Sequence, residues 1–318
     1  MWEYTDIIVE KKPPIGYITI NRPEKHNSLT QLRGGTLDQM AQAYGEMKDD
    51  PEIRVFIVKG EGPCFSAGFD LGKTTIFDVP DRGWIKGRER EPWARFFSRP
   101  QEVRNNPESY LFDTLGSQWW WEPLWNNPKP SIAQVHSYCL GAGLWTVNHC
   151  DIVYAAPDAV FGYPPVRYGC PLMFQILPPW LLGLRKVMKM ALTGRVISAQ
   201  EAHECGLITE VVPRDQIDDA VHDIAMSIAK VPPMTNLFSK RSIHHYFEML
   251  GMQEATRYSD ANCMMIENSS LPGGTVAFSE MVAARGVKEA LAEQMDKYST
   301  PDKVLEQERT RLKKEPKA

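Results

Sequence analysis

The sequence PSIAQVHSYCLGAGLWTVNHCDIVYAA, residues 130–156, decides the fold of this chain. Residues 131–138 alternate in character and are rich in small and β-branched side chains, which predicts a buried strand. The small residues at 141–143 then form a turn that opens into a short helical run, residues 144–149. Residues 151–156 are a second apolar strand. The first N–H groups of such a helix have no partner within it, so they can bind a phosphate or a developing oxyanion.

A second turn of the same kind follows the strand predicted at residues 53–60. Its sequence, EGPCFSAGFDL, occupies residues 61–71 and passes through Gly and Pro into Ser-Ala-Gly. Glycine has no side chain, so the backbone of each turn can approach a ligand closely. Two strand ends that each present one N–H group supply the pair of donors that a polarised carbonyl oxygen requires. A purely structural helix N-terminus is the alternative for each turn.

Four groups of residues together resemble the crotonase superfamily, which is also called the enoyl-CoA hydratase/isomerase family. They are INRPEKHNSL at residues 20–29, FSAGFDL at 65–71, the stretch at 130–156, and FGYP at 161–164 with LTG at 192–194, residues 199–202 and GLI at 206–208. The resemblance covers residues 4–250 well and the following residues loosely. It does not include the C-terminal tail.

The order of the elements predicts an α/β fold. Residues 6–12 and 15–20 are predicted to form a hairpin, and Thr30 can cap a helix that runs to about residue 48. Two glycines, Gly34 and Gly35, weaken the start of that helix. Because strands and helices alternate, the connections between the strands are expected to be crossovers.

The resemblance implies a more specific architecture. Residues 1–210 would form a crotonase-like ββα spiral core that includes a lid insertion at about 72–125. Residues 211–298 would form a C-terminal helical region that builds a homotrimer or a dimer of trimers. Residues 299–318 are a charged tail.

The lid insertion at residues 72–125 has an unusual composition. It carries eight basic residues and many aromatic residues, and it ends with Trp119, Trp120, Trp121 and Trp125. A segment this long between strands is usually a lid or a binding insertion. A helical subunit contact is the alternative. The segment is longer than the resemblance leads us to expect, which favours a pocket reshaped for a bulky or aromatic acyl group.

The resemblance also implies which residues bind the substrate. In the family, the carbonyl oxygen of an acyl-CoA thioester accepts two backbone N–H bonds, and the matching donors here are Phe69 and Ala142. Ala67 and Phe69 match the family's CoA-binding segment. Arg22 and Lys25 are candidates to bind the CoA phosphates, since phosphate favours a cation on a loop. For Lys25, the alternative is a solvated surface lysine.

The acid and base groups of this chain differ from the usual ones. Hydratases of the family use two glutamates, and the matching positions here are Trp145 and Pro165, which cannot transfer a proton. We expect replacement groups among Glu122, Arg167 and Tyr168. Glu122 would have a raised pKa if it were buried. An exposed Glu at a helix end, and a rigid turn around Arg167 and Tyr168, are the alternatives.

Composition excludes several classes of function. The net charge of −4 argues against nucleic acid as a partner, and no run of 18 apolar residues predicts a membrane span. The N-terminus lacks the features of a signal peptide, which favours the cytoplasm. Six scattered cysteines predict neither a disulfide framework nor a zinc site, and no metal cluster is apparent. We expect His136 and His149 to be hydrogen-bonded core histidines.

The leading hypothesis is therefore an acyl-CoA-processing enzyme, a lyase or isomerase of the enoyl-CoA hydratase type or a hydrolase. It would polarise a thioester in a backbone oxyanion hole and hydrate, isomerise or hydrolyse a bulky or aromatic acyl-CoA. Coenzyme A would enter as part of the substrate, with no separate cofactor. The alternatives are a catalytically silent acyl-CoA-binding member of the family and a C–C bond hydrolase of cyclic diketones on the same fold.

Overall fold

The computed structural model describes residues 4–30, 34–71, 121–267 and 274–296, together with residues 307 and 310. Most of the predicted lid and of the predicted tail therefore lies outside the described residues. The strands are β1 (Ile7–Lys12), β2 (Ile15–Ile20), β3 (Val55–Gly60), β4 (Ser131–Val135), β5 (Tyr138–Leu140), β6 (Ile152–Ala155), β7 (Val160–Gly162), β8 (Ile197–Ser198) and β9 (Glu210–Val211).

The α-helices of the described residues pack around these strands. They are α1 (Thr36–Asp49), α2 (Glu122–Trp125), α3 (Ala142–Asn148), α4 (Pro179–Leu182), α5 (Leu184–Thr193), α6 (Ala199–Glu204), α7 (Ile217–Lys230), α8 (Pro233–Met249), α9 (Met252–Glu267), α10 (Thr275–Arg285) and α11 (Val287–Asp296). Short 3-10 helices occupy Pro23–Lys25 and Pro164–Tyr168.

Within the described ranges, two sheets form the core of the fold. The larger has six strands in the order β1-β2-β3-β4-β6-β9, and the smaller has three in the order β5-β7-β8. In the larger sheet only β1 and β2 are antiparallel, so the predicted hairpin is confirmed. The other pairs are parallel and are joined by crossovers. The predicted α/β class is therefore confirmed.

Both faces of the larger sheet are covered, which explains the continuous apolar sequence of β3. Val55 and Ile57 face a cluster that includes Val221 of α7. Phe56 and Val58 point to the opposite face, where they join the main hydrophobic core. Each of these four β3 side chains is at most 1% exposed. Because the strand is buried on both sides, its sequence shows no alternation between apolar and polar residues.

The strand predicted at residues 131–138 is in fact two strands. The chain leaves β4 at Val135 and enters β5 at Tyr138, and Ser137 between them has a left-handed backbone with φ of 52°. This bend carries the chain from the larger sheet to the smaller one. The first strand of the smaller sheet, β5, therefore ends directly before the glycine turn at residues 141–143 and sets its position.

The first helix begins later than Thr30. The helix α1 starts at Thr36, with Gly35 in the extended conformation before it. The two glycines at 34 and 35 have little helix propensity, which accounts for the delay. The N-cap residue is therefore Gly35 rather than Thr30. The Thr30 hydroxyl oxygen still contacts the start of the helix, because it accepts a hydrogen bond from the N–H of Thr36 at 2.8 Å.

The C-terminal part of the described chain is helical. Helices α8 to α11 follow one another, and α8 is anchored to the core through Lys240, whose ammonium lies 2.8 Å from the Asp151 carboxylate. No helix of the described ranges has the length and apolarity that crossing a membrane requires. The division into domains at residues 210 and 298 stays a prediction.

Candidate active site

The first donor turn, residues 64–70, is held in place by the buried side chain of Asn27. Its amide nitrogen donates to the carbonyl oxygens of Glu61 and Cys64, at 2.8 and 2.7 Å. Its carbonyl oxygen accepts from the N–H of Arg22 at 2.8 Å. A buried amide that makes three hydrogen bonds fixes the relative position of the two loops it joins.

Ser66 adds a second connection between the same loops. Its hydroxyl donates to the carbonyl oxygen of Asn27 at 2.8 Å and accepts from the N–H of Gly68 at 3.2 Å. The N–H of Ala67 donates to the carbonyl oxygen of His26 at 2.9 Å. His26 and Asn27 both have positive φ angles, 51° and 52°. Such strained backbone persists only where its surroundings hold it, and it clusters at functional sites.

The pairing of this turn with Leu29 sets the direction of the Phe69 amide. Leu29 donates to the carbonyl oxygen of Gly68 at 2.8 Å and accepts from the N–H of Asp70 at 3.0 Å. In a parallel pairing of this kind, the residue between those two points its own N–H to the opposite side. The N–H of Phe69 therefore points away from Leu29 and toward the side on which Ser66 pairs with Cys139 of β5.

The second donor turn follows β5 directly. Gly141 donates to the carbonyl oxygen of Gly162 at 2.9 Å and has a φ of 53°, which favours glycine. Ala142 is then the first residue of α3, where an N–H group has no acceptor within the helix. Among the described residues, none accepts a hydrogen bond from this N–H. It is thus an available donor at a buried position, since Ala142 is 1% exposed.

The two turns touch each other at their glycines. A Cβ atom placed on Gly68 would lie 3.0 Å from the carbonyl oxygen of Leu140 and 3.6 Å from the amide nitrogen of Ala142. A Cβ atom on Gly141 would lie 3.7 Å from the Cα atom of Gly68. Gly68 also has a φ of 99°. The backbone next to Phe69 therefore approaches the backbone of Ala142 as closely as only glycine permits.

Aromatic and apolar side chains line this meeting point. The rings of Phe69 and Trp145 meet edge to face, with centroids 6.0 Å apart and an interplanar angle of 84°. Pro165 lies on the other side, and its Cγ atom is 4.0 Å from the Cβ position of Gly141. Trp145 is buried at one turn beyond Ala142 on α3. The positions that the resemblance assigns to glutamates thus carry an indole and a proline ring.

The two candidate phosphate-binding residues lie in different environments. Arg22 is buried, and its guanidinium donates to the Asp70 carboxylate at 2.9 Å and lies 3.5 Å from the Asp6 carboxylate. It also donates to the carbonyl oxygen of Ser28. Arg22 therefore braces the first donor turn through Asp70. Lys25, at the end of the 3-10 helix, is exposed to solvent.

The remaining predicted site residues are spread over several elements. Ala67 is exposed on the first donor turn, and Glu122 is exposed at the start of α2. Although Glu122 is an exposed residue, the protein beside its carboxyl removes part of the surrounding water, which raises the pKa of that carboxyl. The nearby charge of Arg257 opposes the rise. Arg167 is buried, and its Nε donates to the carbonyl oxygen of Thr193 at 3.0 Å.

Tyr168 lies on the same 3-10 helix as Arg167, and its ring stacks on Phe278 of α10 with centroids 4.4 Å apart. These contacts join the segment after β7 to α5 and α10. A part for Glu122, Arg167 or Tyr168 in proton transfer stays a prediction.

A cluster of aromatic and imidazole rings contacts the backbone of Trp145. Its members are Trp121, Trp125, His149 and His244. His149 donates from Nδ1 to the carbonyl oxygen of Trp145 at 2.7 Å and stacks on Trp121 with centroids 4.7 Å apart. Burial lowers the pKa of His149 to about 4, even though this hydrogen bond opposes the shift. The prediction of a hydrogen-bonded core histidine is confirmed for His149. It is wrong for His136, whose Nε2 lies 2.9 Å from the carbonyl oxygen of Gly62 but whose side chain is only half-buried. The stack continues from Trp125 to His244, with centroids 3.6 Å apart.

Asp151 connects this cluster to the C-terminal helices. Its carboxylate accepts from the N–H of Ser131 at 2.8 Å and pairs with Lys240 and His244, at 2.8 and 3.3 Å. Burial alone would raise the pKa of Asp151, but His244 and Lys240 hold it below its usual value. Sequence reasoning missed this residue and Asn27. The sequence signal that could have identified them is a short polar residue near the end of a strand, as Asp151 is beside β6.

Comparison with known proteins identifies the family of this chain. The chain matches the family model described as "Enoyl-CoA hydratase/isomerase" over residues 10–103 and 101–285. EchA13 of Mycobacterium tuberculosis, named as an enoyl-CoA hydratase, is 33% identical over 245 residues, which are 76% of this chain and 73% of that protein. The hydroxycinnamoyl-CoA hydratase-lyase of Pseudomonas fluorescens is 27% identical over 71% of this chain and 73% of its own length.

A solved structure gives the same result for the fold. The crystal structure of an enoyl-CoA hydratase/isomerase from Xanthobacter autotrophicus Py2 superposes with a TM-score of 0.73 at 26% identity. The match covers 94% of this chain and 100% of that one. The crotonase-like fold is therefore confirmed, and this chain belongs to the enoyl-CoA hydratase/isomerase family.

Proposed function

We propose that this protein binds an acyl-CoA and polarises its thioester carbonyl between the backbone N–H groups of Phe69 and Ala142. The observation that carries this proposal is the contact between the two turns, in which the Cβ position of Gly68 lies 3.6 Å from the Ala142 nitrogen. Two donors fixed in a buried place stabilise charge that develops only in the transition state. The hydrogen bonds of Asn27 and Ser66 hold the first of these donors in advance.

Coenzyme A is bound as part of the substrate. Lys25 is exposed beside the first donor turn, so its ammonium can reach a phosphate of CoA without losing an internal partner. Arg22 supports the turn through Asp70 and acts on the nucleotide only indirectly. Ala67 is exposed on the same turn and contacts the CoA moiety.

The acyl group is bulky or aromatic. The edge-to-face pair of Phe69 and Trp145, together with Pro165, forms an apolar wall that favours flat rings. A relative named hydroxycinnamoyl-CoA hydratase-lyase gives independent support for an aromatic acyl group. Proton transfer in hydration, isomerisation or hydrolysis is assigned to a non-standard set, with Glu122, Arg167 and Tyr168 as its candidates.

A catalytically silent acyl-CoA-binding protein is the second candidate. Trp145 and Pro165 favour it, because neither side chain can carry a proton to the α or β carbon. Both candidates require binding at the same place, and only the first requires turnover.

The test is a panel of thioesters, from acetyl-CoA and crotonyl-CoA to cinnamoyl-CoA and benzoyl-CoA. We expect the aromatic thioesters to bind more tightly than the acetyl ester, and at least one of them to be converted. Binding without conversion of any thioester would support the silent protein. Neither binding nor conversion would refute both.

The donor at Ala142 can be removed separately. Proline at the first position of a helix is tolerated, so Ala142→Pro deletes one N–H with little change to α3. The loss of one such donor costs about 3 kcal/mol in transition-state stabilisation, or roughly a hundredfold in kcat. Ala142→Gly keeps the N–H and is the matched control. Equal rates in the two variants would refute the role of this amide.

Assembly and location complete the proposal. The exposed side of α8 carries Met234, Phe238, Ile243, Tyr246 and Met249, each more than half exposed. An apolar surface of this extent favours burial against another copy of the chain, as a homotrimer or a dimer of trimers. The cytoplasm is the proposed location of this assembly. Light scattering of the purified protein measures the assembly, and a monomer at micromolar concentration would contradict it.

A further inference from the structure

Two cysteine thiols from distant parts of the chain lie close together near Pro165. The sulfur atoms of Cys170 and Cys263 are 3.9 Å apart, and both residues are buried. Cys170 follows the 3-10 helix that contains Pro165, whereas Cys263 belongs to α9. The Sγ of Cys263 also donates to the carbonyl oxygen of Pro171 at 3.4 Å. The pair therefore bridges the segment after β7 and the C-terminal helices.

Tyr163 makes the two cysteines unequal. Its hydroxyl lies 2.6 Å from the Sγ of Cys170. A thiolate can only accept, so this hydroxyl can donate to the sulfur once Cys170 has lost its proton. Cys170 is 8% exposed, whereas Cys263 has no exposed surface. An oxidant that enters the structure therefore meets Cys170 first, and Cys263 is placed to react with the product.

We propose that Cys170 and Cys263 are a redox modification site that closes to a disulfide in the presence of hydrogen peroxide. The Cys170 thiolate attacks the peroxide, so that an S–O bond forms, the O–O bond breaks and hydroxide leaves. The Cys263 thiolate then attacks the sulfenic sulfur, so that an S–S bond forms and the second oxygen leaves as hydroxide. The two thiols lose two electrons and two protons, which reduce the peroxide to two waters.

The disulfide changes the candidate active site because Cys170 is connected to Pro165. The N–H of Cys170 donates to the carbonyl oxygen of Pro165 at 3.1 Å, and the Pro165 ring lies against Gly141. A disulfide needs its sulfur atoms about 2.05 Å apart, so closure draws this segment toward α9. This effect on substrate binding rests on the proposed function, whereas formation of the disulfide does not.

The first measurement is chemical. The full chain is exposed to hydrogen peroxide, its remaining thiols are alkylated, and peptides are identified by mass spectrometry without reduction. We expect a linked peptide containing Cys170 and Cys263, which dithiothreitol separates and which Cys263→Ser abolishes. Cys205→Ser, a change outside the pair, is the control and leaves the link intact. Oxidation of Cys205 with no link between Cys170 and Cys263 would overturn the proposal.

The second measurement reports on the site. The Kd of benzoyl-CoA, a thioester with no thiol that could reduce the disulfide, is compared for reduced, oxidised and re-reduced protein. We expect oxidation to raise the Kd by roughly fivefold or more, and dithiothreitol to restore it. An unchanged Kd in linked protein would overturn the coupling to the site. If reduced protein bound no benzoyl-CoA, the proposed function would be contradicted while the mass spectra still decided the disulfide.

Discussion

Acidification is expected to destabilise this protein through His149. The imidazole is 7% exposed, lies against the rings of Trp121 and Trp125, and donates from Nδ1 to the carbonyl oxygen of Trp145. A carbonyl can only accept, so the neutral ring carries its proton on Nδ1 and a second proton must enter at Nε2. Burial disfavours that charged form, and the neighbouring imidazole of His244 adds to the effect.

The magnitude follows from the difference between the folded and unfolded pKa. The unfolded chain takes up a proton on this ring at a pKa near 6.5, while the folded protein does so at about 4. Between these values the unfolded state binds more protons, so the free energy of unfolding falls as the pH falls. The complete loss is about 3 kcal/mol, and about 2 kcal/mol of it occurs between pH 7 and pH 4.5.

Urea unfolding at a series of pH values between 7 and 4.5 measures this loss. Carboxyl groups also contribute over part of this range, so the informative quantity is the difference between variants. His149→Gln keeps a donor for the Trp145 carbonyl but cannot gain a charge. It should therefore lose about 2 kcal/mol less stability over the range than the native chain. His222→Gln, at an exposed position of α7, is the control. Equal pH dependence in the native chain and His149→Gln would refute the reasoning.

Three further substitutions test the backbone and the ion pair. Gly68→Ala places a Cβ 3.0 Å from the Leu140 carbonyl oxygen, on a residue with a φ of 99°. We expect the free energy of unfolding, measured with urea, to fall by about 1–3 kcal/mol. We also expect kcat/KM to fall at least roughly tenfold. Gly45→Ala, inside α1 with open space around it, should raise stability by about 0.5–1 kcal/mol in the same assay, and a decrease would contradict the helix argument. Asp70→Asn removes the nearer of the two carboxylates beside Arg22 and leaves Asp6 at 3.5 Å, so it should cost about 1–3 kcal/mol. A loss below about 0.5 kcal/mol would show that the pair does not brace the turn.

The two donor turns could be located from sequence because their signal is local. Strand, small residues and helix start follow one another within a few positions, and both Gly68 and Gly141 have the positive φ angles that such turns use. That Phe69 and Ala142 come together was expected only from the resemblance. The contact depends on the pairing of Ser66 with Cys139, and the two residues are far apart in the chain.

Other features could not be predicted because they depend on distant partners. Arg22 looked like an exposed loop cation, but Asp70 draws it into the interior. The bend at Ser137 was missed, since a single left-handed residue does not interrupt an alternating pattern. The surroundings of Glu122 were equally undetermined, because its exposure depends on how α2 lies against the core rather than on its neighbours in sequence.

The short helix α3 lies between the second donor turn and the ion pairs that join the core to α8. Ala142 is its first residue, and Asp151 lies three residues after its last. The Asp151 carboxylate pairs with Lys240 and His244 of α8. Seven helical residues span only about 10 Å. A rod this short and rigid cannot shift at one end alone. If the proposed assembly forms through α8, a contact made there by a neighbouring subunit would reach the Ala142 amide by way of Asp151 and α3. Under the proposed function, assembly would then influence the position of one of the two donors.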